Sequence, residues 1–126
     1  MAKNNTFKNI FKVRGFMNSL TLAGKGIIYL FLYHRNMRLI FISGILVFLS
    51  GIYLKLKGIE LVALCITITL VFMAEIFNTA IELMMDALTE EYHVKIKLIK
   101  DIAAGVVLLA CLNALGVGYV LLFKKI

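Results

Sequence analysis

Glu75, Asn78, Glu82 and Asp86 stand at offsets of 0, 3, 7 and 11. At about 100° per residue a helix gathers these four onto one stripe about 80° wide. A short polar break follows, and then Lys100 and Asp101. Carboxylates and a carboxamide suit Mg²⁺, a hard cation that prefers oxygen ligands. An ammonium beside them suits a phosphate. A carboxylate can also take a proton from an attacking hydroxyl. Together these are the parts needed for phosphoryl transfer. The same residues also fit two other roles, an interhelical polar network that locks packing and a path for ions or protons. There is no GxxxxGK[ST] loop, which excludes a P-loop enzyme.

The elements that must position these residues are apolar. The 126-residue chain suits one domain, 1–126, and is 62% hydrophobic, more apolar surface than a soluble domain of this size could hide. Transmembrane helices are the natural reading, and the expected fold class is an all-α integral membrane protein. Three spans are expected, at residues 39–54, 60–88 and 99–123, with an amphipathic surface helix over 1–34. In that first segment Ile10, Val13, Met17, Leu20, Gly24, Ile27 and Phe31 step along one face, with Lys8, Lys12 and Ser19 opposite. Arg14 sits near the apolar face, where it either snorkels to headgroups or meets a phosphate. Lys25 between Gly24 and Gly26 marks either a kink or a place where a ligand approaches the backbone.

An ionised group near a bilayer centre costs roughly 2.5–3.5 kcal/mol, so the depth of the stripe matters. The second span, about 43 Å long at 1.5 Å per residue, exceeds a hydrocarbon core of about 30 Å. Its last third, which carries the stripe, should therefore emerge at the interface. Ten basic residues lie in the N-terminal region and around the second connector, against four in the first link and at the C-terminus. The positive-inside rule then puts the N-terminus and the second connector in the cytoplasm and the C-terminus outside. The stripe and Lys100-Asp101 face the cytoplasm, where ATP and Mg²⁺ are found. The second and third spans are antiparallel neighbours, because their connector is short.

The net charge of +7 flanks apolar spans, which points to anionic headgroups rather than nucleic acid. Cys65 and Cys111 lie inside spans without a CxxC pattern and read as packing residues. No cleavable signal peptide is expected. Gly44 and Gly51 on the first span, and Ala103, Ala110, Ala114 and Gly118 on the third, mark faces for close helix contact.

The string A-E-I-F-N-T-A-I-E-L-M-M-D, then E-Y-H, then K-D-I-A-A-G, resembles the signature of the small prokaryotic diacylglycerol kinases and undecaprenol kinases. The likeness reaches back through R-N-M-R to Lys25-Gly26 and so covers nearly the whole chain. It implies a homotrimer in the bacterial cytoplasmic membrane, with shared active sites that move the ATP γ-phosphate to a lipid alcohol with Mg²⁺. By position it implies Glu75 as general base and Glu82 as a metal ligand. Asn78, Asp86, Lys100 and Asp101 would bind nucleotide and organise the site, with Tyr92 and His93 towards the adenine. Beside the resemblance, Arg14 near the apolar face and Lys25 between its two glycines are further candidate nucleotide contacts. His34 stands where the family usually has a second metal-binding Glu, and imidazole is a poor Mg²⁺ ligand. R-N-M-R, N-T-A-I-E and the apolar Ile40 look more like undecaprenol kinases than diacylglycerol kinases. Two rival expectations accompany this reading: a relative that binds nucleotide or lipid without efficient turnover, and a small ion-coupled exporter.

Overall fold

The computed structural model describes residues 2–88 and 93–126, with side chains described for 15–88 and 93–126. Four helices account for almost all of these residues: α1 at Ala2–Tyr33, α2 at Arg35–Tyr53, α3 at Ile59–Leu88 and α4 at Val94–Leu122. A short 3₁₀ turn, Phe123–Lys125, ends the chain. The all-helical class is as expected, with no strand among the described residues. The chain forms two compact units, residues 1–35 and 36–126.

In the first unit, α1 is one uninterrupted helix, so Gly24-Lys25-Gly26 is neither a break nor a loop. A Cβ at Gly24 or Gly26 would meet nothing within 4 Å. The segment Gly15–Tyr33 is long and apolar enough to cross a membrane, as are Arg35–Tyr53, Ile59–Leu88 and Val94–Lys125. The expectation of three spans plus a surface helix thus meets four helices of spanning length and composition. The reason is a change of character within α1. Lys3, Lys8, Lys12 and Arg14 precede Gly15, whereas Lys25 is the one charged residue between Gly15 and Tyr33. Past Gly15 the apolar side chains also surround the helix, with Phe16, Met17, Leu20, Leu22 and Ile28 all exposed.

In the second unit, α2 and α3 approach closely through glycine. A Cβ at Gly44 would lie 3.0 Å from Ile68 Cγ2, and one at Gly51 only 2.6 Å from Leu64 Cδ2. Phe41 and Phe72 add an edge-to-face ring contact at 5.8 Å. The turn between these helices closes in a Schellman pattern. The Leu56 N–H donates to the Gly51 carbonyl and the Lys55 N–H to the Ile52 carbonyl, both at 3.0 Å. Lys55 takes the left-handed position at φ 65°, and Leu56 folds back to 3% exposure over Gly51.

Hydroxyls within the apolar helices satisfy themselves. Ser43, Ser50, Thr67 and Thr69 each donate to the carbonyl four residues back, at 2.8 Å. No water would be present in hydrocarbon to take that role. The helix α3 has 30 residues, which at 1.5 Å each gives about 45 Å, long enough to carry its C-terminal turns past the apolar layer.

Candidate active site

The buried residues of α3 are Leu64, Thr67, Ala74, Glu75, Thr79 and Met85. On a helical wheel they occupy a sector of about 140°, and Asn78, Glu82 and Asp86 fall inside it. The polar stripe is therefore a continuation of the packed face of α3 towards the connector. Glu75 is enclosed, at 8% exposure, whereas Glu82 and Asp86 are exposed.

The stripe changes partners along its length. The Asn78 Nδ2 donates to Glu82 Oε1 at 3.4 Å, one turn on. The opposite end of the same amide, Asn78 Oδ1, is buried and has no hydrogen-bond partner. An orphan buried carbonyl oxygen is costly and points to a group that completes it. Beyond it, Lys100 Nζ of α4 donates to Asp86 Oδ1 at 2.8 Å and joins the two helices. Lys97 Nζ pairs with Asp101 Oδ2 at 2.9 Å along α4 itself.

The start of α4 sets the height of these groups. His93 is its N-cap, in extended conformation at φ −138° and ψ 135°. Its Nδ1 accepts the Lys95 N–H at 3.1 Å, so the ring carries its proton on Nε2. The Lys97 N–H then closes the first turn on the His93 carbonyl at 3.0 Å. From this cap, Lys100 falls on the side of α4 that meets α3, next to the buried Ala103.

The sequence grouped Glu75, Asn78, Glu82, Asp86, Lys100 and Asp101, and all six lie in the second compact unit, four on the C-terminal half of α3 and two near the start of α4. Asp86 and Lys100 are in direct contact, as are Asn78 and Glu82. His34 and Lys25 lie in the first unit. The His34 ring stands edge-on to Tyr29, with centroids 5.9 Å apart. Lys25 is exposed on α1. Tyr92 lies outside the described residues, as does the side chain of Arg14. Sequence reasoning passed over Lys97, although the i,i+4 spacing to Asp101 was its available signal. It also passed over the capping role of His93.

Among the described residues no three His, Cys, Asp or Glu side chains cluster tightly enough to hold a metal ion by themselves. Mg²⁺ does not demand such a cage, since it is commonly held by one or two carboxylates with substrate phosphates and waters. The exposed Glu82 carboxylate fits that donor pattern, and turning the Asn78 amide over would bring its oxygen to the same side.

A family model described as prokaryotic diacylglycerol kinase matches residues 21–122, from within α1 to the end of α4. The chain belongs to the prokaryotic diacylglycerol kinase family. It is also 37% identical over 127 residues to a diacylglycerol kinase of Synechocystis sp., across 99% of this chain and 73% of the relative. The protein is accordingly a membrane-associated lipid kinase, a transferase of lipid metabolism. The exporter reading gives way to this membership, even though four helices have spanning character.

Proposed function

We propose that the protein transfers the γ-phosphate of ATP to the hydroxyl of a membrane lipid alcohol, with undecaprenol favoured over diacylglycerol. The observation that carries this reading is the junction of α3 and α4. It joins an enclosed carboxylate, an oxygen-rich stripe and an interhelical lysine within one unit.

In this mechanism Glu75 accepts the proton of the lipid hydroxyl. Its enclosure on the packed face of α3 keeps competing water away. Glu82 and the Asn78 carbonyl oxygen would hold Mg²⁺, which screens polyphosphate charge when bound. Lys100 meets phosphate, and Asp86 holds its ammonium at the correct height between turnovers. Asp101 organises the nucleotide from α4. His93 spends Nδ1 on the backbone and keeps Nε2 for the nucleotide side. Arg14, Lys25 and Tyr92 supply the remaining nucleotide contacts. His34 is a weak Mg²⁺ ligand, so Glu82 carries more of the metal binding than a pair of carboxylates would. Holding the γ-phosphate and hydroxyl together supplies most of the rate gain.

The preference for an isoprenoid alcohol is supported by Ile40. It lines an apolar groove of about 640 Å³ between α2, α3 and α4, with Gly44, Thr67, Ala114 and Gly118. The wall is predominantly apolar, which suits a long hydrocarbon chain. The small residues on the same face of α4 favour close packing of further copies, in keeping with a homotrimer that shares its active sites. The charge bias favours the bacterial cytoplasmic membrane, with the N-terminus and the α3–α4 connector inside and the C-terminus outside.

The test is a lipid panel on purified protein in micelles with ATP and Mg²⁺, Mn²⁺ or Zn²⁺. Undecaprenol should be turned over faster than diacylglycerol, and chelation should stop both reactions. Faster turnover of diacylglycerol would overturn the lipid preference. His34→Glu should lower the Mg²⁺ concentration needed for half-maximal rate. No response to that substitution would remove His34 from the metal site.

A further inference from the structure

Lys97 belongs to none of the roles assigned above. It pairs with Asp101 at 2.9 Å, one turn along α4, and both side chains are about 60% exposed (59% and 61%). Helix stability does not explain this arrangement. A cation in the first turns of a helix opposes the macrodipole, and a lysine N-terminal to its acid at i,i+4 is the weaker order of the pair. The position has a clearer meaning in the charge pattern of the junction. Among the described residues, four carboxylates line the C-terminal half of α3 and the start of α4: Glu75, Glu82, Asp86 and Asp101. Lys100 neutralises Asp86, and Lys97 neutralises Asp101. Glu75 and Glu82 are the two that the described residues leave without an ammonium, and these are the two to which the chemistry assigns proton and metal.

Asp101 directly follows Lys100 in sequence. Without Lys97 its carboxylate is free to turn, and it would add a negative charge beside the lysine that meets the polyphosphate. We infer that Lys97 is a positioning residue for nucleotide binding, acting by holding and neutralising Asp101. This rests on the proposed nucleotide roles of Lys100 and Asp101. Its effect falls on the affinity for ATP rather than on the chemical step, because Lys97 makes no contact with Glu75 or Glu82.

The experiment is steady-state kinetics of the full-length protein in micelles, with ATP varied at saturating lipid. Lys97→Met should raise KM for ATP by roughly three- to fivefold, the range a single exposed ion pair supports, with kcat within about twofold of wild type. Lys97→Arg should restore KM, because a guanidinium also pairs with a carboxylate. In an Asp101→Asn background, Lys97→Met should have little further effect, since the charge it balances is gone. A wild-type KM in Lys97→Met overturns the inference, as does an equal loss in the Asp101→Asn background. The underlying site reading fails separately, when Lys100→Met and Asp101→Asn both leave the ATP KM unchanged. Thermal melting of each variant accompanies the kinetics, and both residues are exposed enough for folding to be kept.

Discussion

Lys100 of α4 reaches Asp86 of α3 at 2.8 Å, the ion pair that joins the two helices bearing the candidate active site. The side chains are 37% and 67% exposed, so solvent screens the pair and its stabilisation stays at or below about 1 kcal/mol. Structure and function therefore separate cleanly here. Asp86→Asn should shift the melting temperature by only a few degrees while lowering kcat/KM for ATP by tenfold or more, at roughly 1.4 kcal/mol per decade. The exchanged pair, Asp86→Lys with Lys100→Asp, should regain the melting temperature and remain inactive, because phosphate then meets a carboxylate on α4. Activity in the exchanged pair would show that the contact serves packing alone.

Glu75 tests the proposed chemistry most directly. It is enclosed on the face of α3 that packs on its neighbours, and glutamine has nearly the same volume. Glu75→Gln should fold and bind ATP as wild type does. Its kcat should fall by about 10² to 10⁴, the range for loss of a general base. The measurements are turnover with saturating lipid and ATP, set beside nucleotide affinity by direct binding. A drop in affinity with kcat retained would move Glu75 from proton transfer to substrate binding.

How far the site could be read from the sequence depends on the periodicity of each part. The stripe from Glu75 to Asp86 was legible because offsets of three and four residues identify one helix face whatever packs on it. The junction with Lys100 followed from the short connector, which leaves adjacent helices antiparallel. The role of His93 as a cap was not legible, because Ser, Thr, Asp and Asn are the usual N-cap residues. Lys97 resembled any solvated lysine in a polar connector until the ion pair with Asp101 was seen. In α1 the stepping from Ile10 to Phe31 suggested a single amphipathic surface helix. The charges are concentrated before Gly15, however, and that composition gives residues 15–33 a second, spanning character. The left-handed Lys55 was also hidden, because glycine is the usual residue at that position and Gly58, itself at φ 61°, stands three residues further on.

The imidazole of His93 carries two roles that one pair of substitutions can divide. Nδ1 caps α4 through the Lys95 N–H, and Nε2 is proposed to serve the nucleotide. Asparagine keeps a capping acceptor and removes the second nitrogen, so His93→Asn should melt as wild type does. Its ATP KM should rise by about two- to tenfold, the worth of one hydrogen bond. His93→Ala should show the same rise and also lose about 1 kcal/mol of stability with the cap. A wild-type ATP KM in His93→Asn would confine this residue to starting the helix.

The turn between α2 and α3 predicts two stability changes of opposite sign. Lys55 occupies the left-handed position of the Schellman pattern at φ 65°, a conformation that disfavours a side chain by roughly 1 kcal/mol. Lys55→Gly relieves this strain, and the added chain entropy of glycine in the unfolded state offsets part of the gain. The melting temperature should rise slightly. At Gly51 the direction reverses. A Cβ there would sit 2.6 Å from Leu64 Cδ2 and 3.2 Å from Leu56 Cδ1, and both leucines are already packed, at 2% and 3% exposure. Neither can swing clear without opening the α2–α3 contact, so Gly51→Ala should cost about 1–3 kcal/mol. Thermal unfolding in a fixed detergent measures both variants. Melting of Gly51→Ala at or above the wild-type temperature would show that α2 and α3 can separate at this crossing without loss.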